Sequence, residues 1–476
     1  MTTTAVDPSP DPAVATEAPP RPARTWWPQV CDPRRPGQRV RGLDAARGLA
    51  VLGMVVAHTV LTQAPAGSPA ALLSFANGRS AILFATIAGV SLAIMSGGRR
   101  RLDGVELMQA RLTIVGRAIV LLLLAGALSL TWTSVSVILA SYAFWFILAL
   151  PALRWRTRTL LVVAACHAAL GSILATALPT WFSFWGGRDE NGFVLLMLAS
   201  STYPALVWLG FVLAGLALGR HGLDNVTALR NFLVIGLVMF IGFALPFLIK
   251  ARSLDPLFAS SSGNGSSITE NAPLPDGEEM GGWCLDEQGS ALVPCTQEES
   301  EQQLDSMTPE QLETYNRLFN EKYGIDESAM EPELEPEVQS PPLMDLTRPV
   351  DLEQAIWGFA PHSGTPFENF SSGGLALATI AGLVLLGRLA WSRFVLWPLT
   401  GVGAMALTAY VVHVLILGSI GQHPNELLVA GCLALGLVVL CSLWLQVFTS
   451  GPLEQITGAV ADRLAGRPVT RRGARP

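Results

Sequence analysis

The chain alternates long runs of apolar residues with short polar segments. Crossing about 30 Å of hydrocarbon takes roughly 20 helical residues, and ten of these runs reach or approach that length. They predict an all-α fold, a polytopic transmembrane helix bundle of about ten spans. The predicted spans cover residues 44–63, 78–96, 112–131, 134–151, 158–178, 194–218, 231–249, 372–388, 395–418 and 425–447.

Composition supports a membrane protein and divides the chain into two environments. Of the 476 residues, 50% are hydrophobic and only 14% are charged, which leaves too little polar surface to cover a soluble fold. The net charge of −6 conceals a segregation, because residues 251–371 hold 24 Asp or Glu against four Arg or Lys. The rest of the chain is basic, but its arginines lie between apolar runs, so nucleic-acid binding is not expected.

The arginines also predict how the bundle is oriented. Basic residues accumulate in the cytoplasmic loops of membrane proteins. Every second loop is rich in arginine, as at 99–101, 154–158 and 388–393. With an even number of spans, both basic termini are then cytoplasmic and the acidic segment is extracytoplasmic. We therefore expect a multi-pass protein of the cell (plasma) membrane with the lipid bilayer as its surroundings; a homo-oligomer is left open.

These patterns divide the chain into five segments. They are a disordered cytoplasmic tail at 1–40, spans 1–7 at 41–250, the acidic extracytoplasmic loop at 251–371, spans 8–10 at 372–449 and a basic cytoplasmic tail at 450–476. The long loop is predicted to be only partly folded, because it contains a Ser/Gly-rich linker and a Pro/Glu-rich stretch.

Two local features indicate order inside the acidic loop. Cys284 and Cys295 are predicted to form a disulfide if this segment lies outside the cell. Thr308, Pro309 and Gln311 form the start signal of a helix, with a capping box between Thr308 and Gln311. A small lid or docking module and a solvated spacer both remain open as roles for the loop.

The first span carries polar residues that are costly inside a membrane. At 100° per residue, Asp44, Arg47 and His58 fall on one stripe of a helix, with His58 about 16 Å beyond Arg47. Gly48 and Gly53 would allow a neighbouring helix to approach closely. The simpler interpretation is that Asp44 and Arg47 form an ion pair at the helix entry and that His58 bonds to a neighbouring backbone.

Three further residues are predicted to lie at the same depth as His58, in the outer half of the membrane. They are Arg79 at the start of the second span, His362 before the eighth span and His413 inside the ninth. Together they could supply a general base and a cation that stabilises an oxyanion. Each also has an ordinary interpretation, such as contact with lipid headgroups for Arg79. Neither a CxxC pair nor a Cys/His zinc spacing occurs, so no metal is predicted.

Several of these segments resemble a known family. "LDAARGLAVLGMVVAH", "GRSAILFATIAGVSL", "VGAMALTAYVVHVLI" and "SGPLEQI" are similar to bacterial membrane proteins related to heparan-α-glucosaminide N-acetyltransferase, in the transmembrane acyltransferase superfamily. The resemblance covers roughly 40–250 and 355–460, without the tail or the acidic loop. The first span also resembles the opening of bacterial surface-sugar O-acyltransferases.

This resemblance implies acyl transfer across a membrane. Cytosolic acyl-CoA, with acetyl-CoA favoured, would be the donor and co-substrate, and a glycan or lipid outside the cytoplasm would be the acceptor. Asp44 and Arg47 would organise the donor side, while His58, Arg79, His362 and His413 would be catalytic. The family's acetyltransferase has a histidine just before its second span, whereas "LLSFANGR" here has none. His58 or His362 would have to replace it.

Two other classes of function fit the same residues. In a transporter or exporter, the histidines and arginines would line a path for a solute or for protons. In a non-catalytic scaffold, the acidic loop would recruit partners at the cell envelope. Dependence on CoA separates the enzyme from the transporter, and deletion of the loop would abolish the function of a scaffold only.

Overall fold

The computed structural model describes most of the hydrophobic part of the chain and part of the acidic segment. The described residues are 40–60, 68, 70, 73–131, 135–181, 196–200, 202–253, 282–286, 290–295, 297–323, 350, 352–420 and 425–467. The tail predicted at 1–40, apart from residue 40, and the Ser/Gly-rich and Pro/Glu-rich stretches lie outside them.

Within the described residues, fifteen α-helices dominate, and strands occur only as one hairpin. The helices are α1 Arg41–Thr59, α2 Arg79–Met95, α3 Gly104–Ser129, α4 Leu139–Leu148, α5 Thr157–Trp181, α6 Ala205–His221, α7 Val226–Ser253, α8 Gln297–Ser306, α9 Pro309–Tyr323, α10 Leu352–Ile356, α11 Pro366–Leu386, α12 Ser392–Ala404, α13 Ala406–Ile420, α14 Glu426–Val447 and α15 Pro452–Leu464. Short 3-10 or π turns lie at Ser74–Ala76, Pro151–Arg154 and Leu196–Ser200, and the hairpin joins β1 Gly282–Leu285 to β2 Leu292–Cys295.

The all-α polytopic bundle is confirmed, since each predicted span overlaps a helix or a pair of helices among the described residues. By length and composition, six helices in the described part of the chain could cross a membrane; they are α2, α3, α5, α7, α11 and α14. The broken pair α12–α13 makes a seventh if it is counted as one span. α4 and α6 are apolar but have only 10 and 17 residues. The count of ten spans therefore stays a prediction.

The predicted ninth span is not one continuous helix. α12 and α13 meet at Met405 with a bend of 75°. The break exposes the first backbone N–H groups of α13, and α15 supplies their acceptor. The carboxylate of Glu454 accepts hydrogen bonds from the backbone N–H of Leu407 at 2.7 Å and from that of Thr408 at 3.1 Å. It therefore stabilises a helix that begins inside the bundle.

Close packing of helices around α1 forms the centre of the bundle. Gly48 lies against the backbone of Leu399 on α12, and Gly403 of α12 lies against the backbone of Asp44. Gly53 contacts the side chain of Ser80 at the start of α2. These contacts confirm the prediction that Gly48 and Gly53 let neighbours approach. In a bilayer, where the hydrophobic effect does not drive helices together, such small-residue contacts supply much of the association energy.

The acidic segment contains a separate compact unit, Ser253–Asp345. Its hairpin pairs Cys284 with Val293, and the predicted disulfide between Cys284 and Cys295 is present. The predicted capping box is also present: the backbone N–H of Thr308 donates to Gln311 Oε1 at 2.9 Å, and the backbone N–H of Gln311 donates back to Thr308 Oγ1 at 3.4 Å. The segment thus holds local order that its acidic composition alone would not indicate.

Two element boundaries differ from those predicted. α11 begins at Pro366 rather than at 372, because Thr365 accepts a hydrogen bond from the backbone N–H of Glu368 and caps the helix. The segment expected to be a basic tail from 450 contains α15, which packs against α3. Gly116 of α3 lies next to Ala461 of α15, so the contact again depends on small residues.

The packing of α1 against α12 predicts the effect of a single methyl group. In a Gly403→Ala variant, the new Cβ meets the backbone carbonyl of Asp44, so the two helices must separate. We expect the free energy of unfolding to fall by about 1–3 kcal/mol. Thermal unfolding in detergent measures this as a lower Tm. Gly431→Ala on α14 is the matched control, because its Cβ would meet nothing within 4 Å among the described residues. Equal Tm values for the two variants would contradict the prediction.

Candidate functional site

Two predicted site residues, His58 and His413, meet in the structure. His58 is the penultimate residue of α1, and His413 lies on the half-helix α13. His58 Nδ1 is 3.2 Å from His413 Nε2, and the two rings are nearly parallel, with centroids 5.4 Å apart. His413 has no exposed surface, whereas His58 is half-buried. The accessible ring of the pair therefore belongs to His58.

Hydrogen bonding assigns the tautomers of the two neutral rings. His413 Nδ1 lies 3.3 Å from the backbone carbonyl of Ala409. A carbonyl oxygen only accepts, so His413 Nδ1 carries the proton and His413 Nε2 is an acceptor. His58 Nδ1–H then donates to His413 Nε2. As a result, Nε2 of His58 is unprotonated and can take up a proton.

His362 lies near this pair, on the loop before α11. It is close enough to His58 to interact with it electrostatically. Its ring stacks on Trp208 of α6 at a centroid distance of 5.9 Å and meets the edge of Tyr203 at 5.6 Å. Burial lowers the pKa of His362 below its ordinary value, so the neutral ring is favoured at physiological pH.

A carboxylate that the sequence did not single out holds the His362 loop. His362 has a φ of +65°, which is rare for a residue other than glycine, and Gly364 has a φ of +67°. Glu368 accepts hydrogen bonds from the backbone N–H of both residues at 2.8 Å and from Ser363 Oγ at 3.0 Å. The three bonds fix the loop in this strained conformation, and with it the position of the His362 ring.

Arg79 lies at the His362 loop rather than in contact with the histidine pair. Its guanidinium packs over the rings of Phe75 and Phe359, at 4.4 and 5.6 Å from their centroids. It donates to the backbone carbonyl of Phe75 at 3.3 Å and interacts electrostatically with Glu368. Its contacts are therefore with the aromatic residues around the loop, and its electrostatic partner is the Glu368 carboxylate.

Asp44 and Arg47 lie towards the opposite end of α1. Arg47 forms an ion pair with Asp44 at 2.9 Å, and it donates to Ser91 Oγ of α2 at 2.8 Å. Both residues line an open cavity of about 1050 Å³, referred to below as the arginine cavity. Its charged lining residues are Arg41, Asp44, Arg47, Arg99, Arg100, Asp224 and Arg388. Five guanidinium groups against two carboxylates favour an anionic ligand.

The structure thus brings the predicted residues together at two places. His58, His413, His362 and Arg79 lie around the first, which we call the histidine site, while Asp44 and Arg47 lie at the arginine cavity. Glu368 was missed, although Thr365 and Glu368 have the spacing of a capping box and could have pointed to it. Trp208 and Tyr203 could not be singled out from the sequence, because aromatic residues are common in apolar runs.

Among the described residues, no group of three or more His, Cys, Asp or Glu could hold a metal ion.

Comparison with known proteins finds two family models that match separate parts of the chain. Residues 39–248 match the model described as "Heparan-alpha-glucosaminide N-acetyltransferase, catalytic". Residues 358–462 match the model described as "Protein of unknown function (DUF418)". No curated protein and no solved structure matched the chain.

The histidine site combines residues from both matched regions. His58 and Arg79 come from the first region, and His362 and His413 come from the second. In the sequence, the acidic unit falls between the two matched regions and belongs to neither. By these two matches, the chain is similar to transmembrane acyltransferases related to heparan-α-glucosaminide N-acetyltransferase.

Proposed function

We propose that this protein transfers an acyl group, with acetyl favoured by its family, from cytosolic acyl-CoA to a glycan or lipid outside the cytoplasm. The family match suggests membrane acyltransferase activity. The observation that carries the fuller proposal is the layout of α1. This helix presents a cationic cavity near its first turns and a hydrogen-bonded histidine pair near its last residues. The proposal places the arginine cavity on the cytoplasmic side of the plasma membrane, together with both termini.

The chemistry of the arginine cavity suits the nucleotide end of acyl-CoA. That end carries several phosphate groups, which guanidinium groups bind through charge-assisted hydrogen bonds. The Asp44–Arg47 ion pair would organise the inner wall of the cavity, while Arg41 and Arg388 would meet phosphates nearer its mouth. His58 lies eleven residues after Arg47, which is about 16 Å along a helix. The extended arm of CoA would carry the thioester over that distance.

His58 would act as the general base. Its Nε2 removes the proton from the acceptor's hydroxyl or amine as the oxygen or nitrogen attacks the thioester carbon. The carbon–sulfur bond then breaks, and CoA leaves as a thiolate. The positive charge on His58 is stabilised through Nδ1–H by His413 Nε2, and His413 is oriented by the carbonyl of Ala409. A transient acyl group on the same Nε2 is the alternative route.

The remaining residues would form the acceptor side of the site. His362 and Arg79 lie on or against the loop held by Glu368, and both are framed by aromatic rings. Aromatic faces and cationic groups suit the ring and the polar substituents of a sugar or a lipid headgroup. Arg79 would bind the acceptor or steady the developing negative charge.

A transporter is the second candidate, and the broken pair α12–α13 is the observation that favours it. Helices that break inside the membrane often form solute sites in transporters. In this protein the start of α13 is occupied by the Glu454 carboxylate rather than left open to a ligand. Accumulation of a solute in vesicles without dependence on acyl-CoA would support transport over transfer.

One prediction of this proposal concerns His58. With purified protein in lipid nanodiscs, labelled acetyl-CoA and an envelope glycan or lipid extract, we expect label to appear in the acceptor. His58→Ala should reduce kcat by about 10²–10⁴-fold, because it removes the proposed general base. His221→Ala is the matched control. This exposed histidine is the last residue of α6, at the end away from Trp208, and it contacts Phe232 of α7. A His58→Ala variant as active as the control would exclude the proposed role.

The second prediction concerns the arginine cavity. Arg388→Gln should raise KM for acetyl-CoA roughly tenfold, because a hydrogen bond to a charged group contributes about 1.5 kcal/mol. The value of kcat should change little, since the reacting atoms are remote. Arg393→Gln is the control: this exposed arginine packs on Phe394 and does not line the cavity. Equal KM values for the two variants would mean that the donor does not bind there.

A further inference from the structure

Seven side chains form a closed circuit that includes the histidine pair. Hydrogen bonding, ring contact or electrostatic interaction connects each one to the next. Helices α1, α4, α6 and α13 and the loop before α11 contribute to it. In order, the members are His58, His413, Tyr410, Tyr142, Trp145, Trp208 and His362. The proposed mechanism uses the three histidines but neither of the residues from α4.

Both α4 residues carry a buried polar atom without a partner. Tyr142 is 4% exposed and Trp145 is 0% exposed. Neither the hydroxyl of Tyr142 nor Nε1 of Trp145 has a hydrogen-bond partner among the described residues. Leaving a buried donor unsatisfied costs about 1–3 kcal/mol, so native proteins seldom do so without a functional reason. Two such donors lie one helical turn apart on α4.

The neighbouring tyrosines differ from Tyr142 in this respect. Tyr410 accepts a hydrogen bond from the backbone N–H of Ile138 at 3.3 Å, and Tyr203 donates to the carbonyl of Ser136 at 3.4 Å. The hydroxyl of Tyr142 lies close enough to both to interact with them electrostatically. Both neighbouring tyrosines therefore form hydrogen bonds in this region, whereas the Tyr142 hydroxyl forms none with the described residues.

The surroundings of the two donors indicate the kind of ligand they would take. Phe84 and Phe146 pack against the Tyr142 ring at 5.2 and 6.2 Å, so the environment is apolar and aromatic. A phenol and an indole N–H both donate, and an indole N–H cannot accept. Such a pair suits a neutral acceptor atom such as a carbonyl oxygen rather than a cation. A thioester carbonyl fits this description.

We propose that Tyr142, with Trp145 Nε1 as a neighbouring donor, binds the carbonyl oxygen of the transferred acyl group. This assignment rests on the proposed function and makes Tyr142 a catalytic residue. As the acceptor attacks, the C=O π electrons move onto the oxygen, and the Tyr142 O–H donates a hydrogen bond to that oxyanion without losing its proton. The intermediate then collapses, the carbon–sulfur bond breaks, and CoA leaves. This role complements that of His58, and of the two roles proposed for Arg79 it leaves binding of the acceptor at the loop.

The test replaces the tyrosine with phenylalanine, which keeps the ring and removes only the hydroxyl. Tyr142→Phe should lower kcat by about 10²–10³-fold, the usual loss for one oxyanion donor, while KM for acetyl-CoA stays within about twofold. The Tm of the Tyr142→Phe variant should not fall, because the hydroxyl that the substitution removes has no hydrogen-bond partner among the described residues. Tyr315→Phe, which alters a buried tyrosine of the acidic unit, is the control and should keep full activity.

Infrared spectroscopy gives a second, independent result. With [1-¹³C]acetyl-CoA bound to the protein, the carbonyl band should lie at lower frequency than in solution and return towards the solution value in Tyr142→Phe. Unchanged kcat and an unchanged band in the variant would overturn the assignment while leaving the proposed function in place. A drop in Tm together with the loss of activity would indicate a structural role and also overturn it. A wild-type protein that neither binds nor turns over acetyl-CoA would overturn the proposed function and this assignment with it.

Discussion

The contact between α1 and α12 determines the positions of most other groups in this protein. Because Gly48 and Gly403 have no side chains, the two backbones approach closely, and α12 then turns at Met405 into α13. That turn brings His413 to His58. A methyl group at either glycine would move α13 relative to the end of α1. The hydrogen bond between the histidines thus depends on backbone packing ten residues away on each helix.

Several polar groups inside the bundle are stabilised by partners elsewhere in the chain. The first N–H groups of α13 bond to Glu454 on α15, and the strained loop at His362 bonds to Glu368. Buried polar groups are expensive in an apolar environment, so these bonds also fix geometry. The hydroxyl of Tyr142 and Nε1 of Trp145, like Nδ1 of His362, have no hydrogen-bond partner among the described residues, and they lie beside the groups to which we assign the chemistry.

The sequence predicted much of this architecture because hydrophobic length and arginine placement are strong signals in membrane proteins. It located the helices, the disulfide between Cys284 and Cys295 and the capping box at Thr308. The break at Met405 was not predicted, because 395–418 reads as one apolar run and the capping carboxylate lies about fifty residues later. The start of α11 was placed six residues late for a related reason, since Thr365 and Pro366 are polar or turn-forming residues that begin a helix.

The site was predicted in part, and the reasons are physical. Depth in the membrane can be counted along a helix, so His58, Arg79, His362 and His413 could be assigned to one level. Which of them touch depends on helix packing, which a single sequence does not contain. Arg79 illustrates this limit, because it packs against aromatic rings and interacts electrostatically with Glu368 rather than contacting the histidine pair. Tyr142 was not singled out, since an aromatic residue in an apolar run carries no sign of being unpartnered.

The most direct test of the central claim is an experimental structure with a non-hydrolysable acetyl-CoA analogue bound. We expect the nucleotide in the arginine cavity, against Arg41 and Arg388, and the acyl group beside the His58–His413 pair. One ligand would then connect both sites along α1. An analogue whose acyl group lies away from His58, or whose nucleotide binds outside the arginine cavity, would contradict this account.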